Sequence, residues 1–83
     1  MGPSINKLLS ENKVIGLRQV NRGIKENQIR CVVIADDTDS NIRLELMNTC
    51  RTARVPVKRV PSKSELGKTL GIDVDCSTVG ILK

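Results

Sequence analysis

No phenylalanine, tyrosine, tryptophan or histidine occurs anywhere in the chain's 83 residues. Without histidine, a Ser-His-Asp triad, a Cys-His dyad and imidazole metal ligands are all excluded. Without aromatic rings, no nucleobase can stack on a side chain as it does in single-strand binders and sheet-surface RNA readers. Negative charge is scarce: nine Asp and Glu stand against fourteen Lys and Arg, for a formal net charge of +5. That balance favours an acidic partner, most often nucleic acid. Long apolar runs are missing too, since none approaches the ~20 residues of a membrane span. Cysteine is limited to Cys31, Cys50 and Cys76. Their odd count and wide spacing, with no CxxC pair, are those of a reduced intracellular chain. Cys31 and Cys50 read as buried small hydrophobes, and zinc lacks both a close pair and a fourth ligand.

What is present is enough for one small domain. Hydrophobic residues make up 39% of the chain, ordinary for a folded protein and too many for a disordered one. The core must come from Ile, Leu, Val, Met and Ala. Met1-Gly2-Pro3 has no signal-peptide shape and reads as a tail or cloning remnant ahead of the domain.

The periodicity alternates between helix and strand. Ser4 can cap a short helix with Ile5, Leu8 and Leu9 on one face. Val14 and Ile15 suggest a brief extended step before Gly16. From Leu17 to about Asn27, Leu17, Val20 and Ile24 form one helical stripe, and Arg18, Arg22 and Lys25 a second, basic one. Cys31-Val32-Val33-Ile34-Ala35 is apolar throughout and β-branched at its centre, so it reads as a central strand buried on both faces. Asp36 to Ser40 forms an acidic loop. Ile42, Leu46, Cys50 and Ala53 mark the next helix. Val55-Pro56-Val57 and Val60 suggest a short strand with the proline at its start. Ser62 and Glu65 match a capping box, and Gly71 is placed as a C-terminal cap. Thr78 to Leu82 is a last strand. This order implies an α/β fold, a three-layer α-β-α sandwich with a small mixed sheet flanked by helices on both faces.

Three chemistries suggest themselves. Asp36, Asp37 and Asp39 after a buried strand can hold Mg²⁺ for phosphoryl chemistry, contact a partner, or simply cap the next helix; capping is the commoner use. Gly67-Lys68-Thr69 does not complete a phosphate loop, because Ser62 stands where that motif needs glycine. The remaining feature is the start of the second helix. A helix N-terminus offers unpaired N–H groups and partial positive charge to phosphate. Arg18 can pair with guanine O6 and N7, and Gln19 with adenine N6 and N7. An Arg stripe opposite an apolar stripe is also the ordinary make-up of a solvated face.

Three blocks carry a resemblance. They are Gly16-x-x-Gln19-Val20-x-Arg22-Gly23-Ile24, then Val33-Ile34-Ala35-Asp36-Asp37-x-Asp39, then Val57 to Val60 with Pro61-Ser62-Lys63-x-Glu65-Leu66-Gly67-Lys68 and Gly71-Ile72-Asp73-Val74. Together they resemble the kink-turn-binding ribosomal protein superfamily, the seven-A-e and thirty-e type of large-subunit protein with its small bacterial relatives. The resemblance spans residues 4 to 82. It implies a non-enzymatic RNA-binding protein, without cofactor or metal, that recognises a kink-turn through its tandem sheared G·A pairs and holds the RNA bent. It implies that Gly16 permits close approach and that Arg18 and Gln19 face the G·A pairs. By the same resemblance Arg22 serves guanine or a phosphate, Lys63 contacts RNA, and Asp39 helps recognise a looped-out nucleotide. Val74-Asp75-Cys76-Ser77 matches the loop that packs on the bend, and Lys68 adds charge.

Two departures stand out. Arg18-Gln19 replaces the Asn-Glu common in archaeal and eukaryotic members and is closer to the bacterial branch. Asp75 puts a charge in a loop that is usually apolar or small. The expected partner is ribosomal RNA, a riboswitch or another structured RNA, met by a cytoplasmic monomer with no membrane contact. The net charge is expected to gather around Arg18, Arg22, Lys63 and Lys68. Lys63 and Lys68 also fit plain solvated residues beside a capped helix. The rival reading is a small protein-interaction module of a ribosome-linked assembly without selective kink-turn binding.

Overall fold

The structure, a computed structural model, describes residues 12–72 and 74–83. The fold is organised around strand β2, Ile29–Ala35, in which every residue but Arg30 is buried. Its apolar run leaves no face for water, so it must lie inside a sheet. β4, Thr78–Leu82, pairs with it antiparallel on one side, and β3, Val57–Val60, pairs parallel on the other. β1, Lys13–Ile15, adds to the far edge of β4, which gives the order β1-β4-β2-β3. Pro56 stands just before β3, where it gives no N–H to the ladder, yet its carbonyl accepts from the Val32 N–H at 3.0 Å.

Three helices cover the sheet: α1, Leu17–Lys25; α2, Ser40–Ala53; and α3, Lys63–Leu70. The two-residue alternation of β2 decides which helix packs where. Val32 and Ile34 meet Val20 and Ile24 of α1 with Leu46 and Cys50 of α2. Cys31 and Val33 point the other way, toward Leu66 of α3, Cys76, Val79 and Ile81. α1 and α2 therefore form one outer layer and α3 lies on the opposite one, making the expected three-layer sandwich. Each fully buried Ile, Leu or Val contributes roughly 1.5–3 kcal/mol by leaving water.

The expected strand starts at Cys31, whereas the observed one starts two residues earlier. A register shift between Ile29 and Cys31 turns Ile29 onto the α1 side, out of phase with Cys31 and Val33. There it fits between two glycines: a β-carbon at Gly23 or Gly80 would stand 2.7 or 2.8 Å from its Cδ1. The bulge breaks the period on which a sequence reading depends. The second helix also ends earlier than expected, at Lys25, because the chain turns through Asn27 at φ 59. The short helix expected after Ser4 lies outside the described residues, as do Met1 to Pro3. None of the described helices is long and apolar enough to cross a membrane.

Candidate functional site

Among the described helices, α1 alone starts without a side-chain cap. α2 begins at Asp39, whose carboxylate accepts from the N–H groups of Asn41 (2.9 Å) and Ile42 (3.4 Å). α3 begins at Ser62, whose Oγ accepts from the Glu65 N–H at 3.1 Å. α1 begins at Gly16, which has no side chain to offer, and its first turn holds no acidic residue. The first N–H groups of a helix have no acceptor within the helix. At α1 they remain available to an external anion, with the positive end of the helix dipole behind them.

Gly16 suits this position for a geometric reason. Its φ of 101 is one that an L side chain rarely adopts. Its N–H donates to the Thr78 carbonyl at 3.1 Å, which ties the start of α1 to the start of β4. A β-carbon here would lie 3.2 Å from the Gln19 Oε1, so Gln19 folds back over the bare glycine. Arg18 and Gln19 are both exposed.

The loop ahead of β4 lies alongside. The Cys76 thiol is buried and donates to the Thr78 carbonyl at 3.3 Å. Burial raises its pKa, and the backbone N–H groups of Thr78 and Gly16 partly oppose that rise. Cys76 therefore serves this loop from inside, and its side chain offers no outer contact surface. Val74, 67% exposed, and Asp75, also exposed, form the outer face. The Ser77 carbonyl accepts from the Ala35 N–H at 2.9 Å and the Thr38 hydroxyl at 3.4 Å.

α3 joins the same end through its own N-terminus. The Cys76 N–H donates to the Lys63 carbonyl at 3.2 Å, and the Lys63 N–H donates to the Asp37 carboxylate at 2.8 Å. Asp37 thus couples the loop after β2 to the helix that bears Lys63. The sequence reading placed it only in an acidic cluster; its reach across to residue 63 is a tertiary fact. The three carboxylates of that cluster diverge. Asp39 caps α2, Asp37 holds α3, and Asp36 pairs with Arg59 at 2.7 Å. Capping, the ordinary use of such residues, accounts for two of them.

Gly16, Arg18, Gln19, Lys63 and the 74–77 loop therefore meet at one end of the sheet. Arg22 and Lys68 lie farther along their helices. Arg22 is turned toward Glu26, at 3.6 Å across one helical turn, an exposed pair that contributes little to stability. Lys68 lines a shallow cleft with Ser64, Ile72, Val74 and Asp75, so the departure at position 75 puts a carboxylate beside that lysine. Asp39 is exposed, but its Oδ1 is engaged in capping. Ile15, which ends β1 directly before Gly16, is exposed at 39%.

At this end Arg43 donates to the Asp36 backbone carbonyl at 2.6 Å, and Arg59 donates to the Asp36 carboxylate at 2.7 Å.

Residues 4–83 match the sequence profile of the Ribosomal protein L7Ae/L30e/S12e/Gadd45 family. A protein of Geobacillus sp. (strain WCH70) named as an RNA-binding protein is 36% identical over 81 residues, covering 96% of this chain and 99% of its own. RNA-binding protein YbxF of Geobacillus stearothermophilus is 37% identical over the same length and coverage. Among solved structures, the Giardia lamblia 15.5kD RNA binding protein superposes with a TM-score of 0.82 at 25% identity, covering 94% of this chain and 67% of that one. A protein of unknown function from Bacillus halodurans superposes with a TM-score of 0.85 at 22% identity, covering 94% and 83%, and shares the fold.

Proposed function

This chain belongs to the L7Ae/L30e/S12e/Gadd45 ribosomal protein family, and from that premise we propose that it is a non-enzymatic RNA-binding protein that recognises a kink-turn and stabilises the bent RNA. One observation carries the reading: the uncapped start of α1 at Gly16, with Arg18 and Gln19 exposed in its first turn and the 74–77 loop beside it. The names of the Geobacillus relatives, matched over nearly their whole length, support an RNA partner.

The major groove of A-form RNA is too narrow for side chains to read. A sharp kink opens it, so the bare backbone at Gly16 can approach and the free N–H groups can meet phosphate. Arg18 and Gln19 then reach the edges of the sheared G·A pairs. Val74 and Asp75 lie against the bend, and Lys63 contacts the backbone. RNA exchanges between open and kinked states, and a protein that binds only the kinked one shifts the population toward it. No aromatic ring is needed, because hydrogen bonds meet bases already displaced from the helix.

A gel-shift titration with a kink-turn RNA and a variant lacking the G·A pairs tests this. Strong preference for the intact motif is expected, and equal affinity for both would overturn it. Arg18→Ala and Gln19→Ala are expected to reduce the preference, each by roughly 1–3 kcal/mol if the contact is bidentate. Lys68→Ala is expected to weaken both RNAs alike and flatten the salt dependence.

A further inference from the structure

We propose that the cleft between α3 and the loop before β4 takes an unstacked guanine of the bound RNA, an inference that rests on the RNA-binding reading above. The cleft measures about 230 Å³ and is lined by Ser64, Lys68, Ile72, Val74 and Asp75. That is below the roughly 300–1,000 Å³ of a pocket for a drug-sized ligand and suits a single ring system. Ser64 and Lys68 stand four residues apart on α3, so they share one face of the helix. Val74 and Asp75 line the cleft from the loop. Backbone contacts fix the two walls to each other. The Ile72 N–H donates to the Gly67 carbonyl at 3.1 Å and the Cys76 N–H to the Lys63 carbonyl at 3.2 Å, while the bare Gly67 lets the Val74 carbonyl rest on the helix. The site is therefore held in shape before any ligand arrives.

The fold leaves the polar side chains of this cleft without partners. Of the four described aspartates, Asp36 pairs with Arg59, Asp37 holds the Lys63 N–H and Asp39 caps α2. No hydrogen bond or ion pair among the described residues engages the Asp75 carboxylate, the Lys68 ammonium or the Ser64 hydroxyl. All three residues are exposed, as is Val74, and Ile72 is half-buried. The helix dipole accounts for a cation at Lys68, in the last turn of α3, but not for a carboxylate beside it.

The two opposite charges select the ligand. Asp75 repels a phosphate or a carboxylate, and Lys68 repels a metal cation. A neutral base that offers both donors and acceptors meets both side chains. The Watson–Crick edge of guanine carries the O6 acceptor, the N1–H donor and the N2 amino donor in one row. A carboxylate accepts from the two donors at once, a bidentate, charge-assisted arrangement, and an ammonium donates to O6. Adenine, cytosine and uracil lack two adjacent donors on that edge. Ile72 and Val74 give the ring an aliphatic face in a chain without aromatic side chains. Bases in RNA loops and bulges are splayed out and read on this edge. The 74–77 loop meets the RNA bend in the reading above, so the guanine is an unpaired nucleotide there. The departure at position 75 then adds a base preference to the recognition of the bend.

Two measurements test the site. In amide NMR of the free protein, guanosine monophosphate is expected to shift the signals of Ser64, Lys68, Val74 and Asp75 at concentrations where adenosine, cytidine and uridine monophosphates do not. In gel shifts, kink-turn RNAs that differ only in one unpaired nucleotide at the bend are compared, each such position in turn. Guanine is expected to bind about tenfold more tightly than adenine at one of these positions, with inosine, which lacks the 2-amino group, between them. Asp75→Asn is expected to bring the guanine-to-adenine ratio close to one, with the preference for intact G·A pairs and the thermal melt unchanged. Equal shifts with all four nucleotides, or preference for another base, would overturn the guanine site. Shifts with guanosine monophosphate and no base preference in the RNA would overturn the RNA as its source. A guanine-to-adenine ratio that survives Asp75→Asn would remove Asp75 from the site and the proposal with it. Equal binding of intact and G·A-less RNAs would sink the kink-turn reading instead, and the nucleotide titration would still decide the cleft.

Discussion

Gly67 of α3 lies directly beneath the Val74 carbonyl, so closely that a β-carbon at position 67 would overlap that oxygen. The helix and the loop before β4 thus meet backbone to backbone. The neighbouring Cys76 N–H to Lys63 carbonyl bond fastens the same contact farther along. Gly67→Ala is expected to push the loop off the helix, lowering stability by about 1–3 kcal/mol as an overpacked site does. Because Val74 is among the exposed residues proposed to meet RNA, kink-turn affinity is expected to fall as well. Denaturant melts and gel shifts on one preparation check both.

Gly16 is constrained by backbone conformation and by proximity. Gly16→Ala places a β-carbon on a residue with φ 101 and against the Gln19 Oε1. A strain of roughly 1–3 kcal/mol is expected, with a larger proportional loss in RNA affinity than at a solvated position such as Thr52. Thermal melts and RNA titrations of both variants measure the contrast.

Asp39 separates capping from recognition. Asp39→Ala removes the acceptor for the Asn41 and Ile42 N–H groups and is expected to cost about 1 kcal/mol. Asp39→Asn keeps a capping oxygen and is expected to leave the denaturation midpoint nearly unchanged. A drop in kink-turn preference with Asp39→Asn at unaltered stability would assign the carboxylate a direct RNA contact.

The three thiols are expected to resist modification until the protein opens. Burial pushes the Cys50 thiol up from 9.0 to about 11, with the nearby Cys31 adding to the rise. The folded state therefore holds this proton more tightly than the unfolded one. The resulting stability is fully present below pH 9 and is lost as pH rises from there toward about 11. Denaturant midpoints are expected to decline across that window and to hold between pH 7 and 8.5. Iodoacetamide labelling at pH 8 is expected to be slow when native and rapid in denaturant.

Much of the fold can be read along the chain because its signals are local. The unbroken apolar run 31–35 requires a buried strand, the Ser62 and Glu65 pair starts α3 where it should, and Gly71 ends it in the left-handed conformation. Ile29 was not legible, because a bulge changes the face it points to and its slot is cut by glycines distant in sequence. Asp37 was legible as an acidic loop residue, but its hold on Lys63 depends on how β2 and α3 are brought together.

The sequence by itself determined the missing rings and imidazoles, the order of elements and the net charge of +5. Those follow from composition and from periods of two and 3.6 residues, which need no knowledge of distant neighbours. Only the tertiary structure decided where the charge sits. Folding sends Asp36 to Arg59, Asp37 to the Lys63 N–H and Asp39 to the start of α2, and sets Asp75 in a cleft with Lys68. It brings the ends of α1 and α2 together with the starts of β2 and β3. A sum over residues is blind to that, because an electrostatic surface depends on distances that only the packed chain sets.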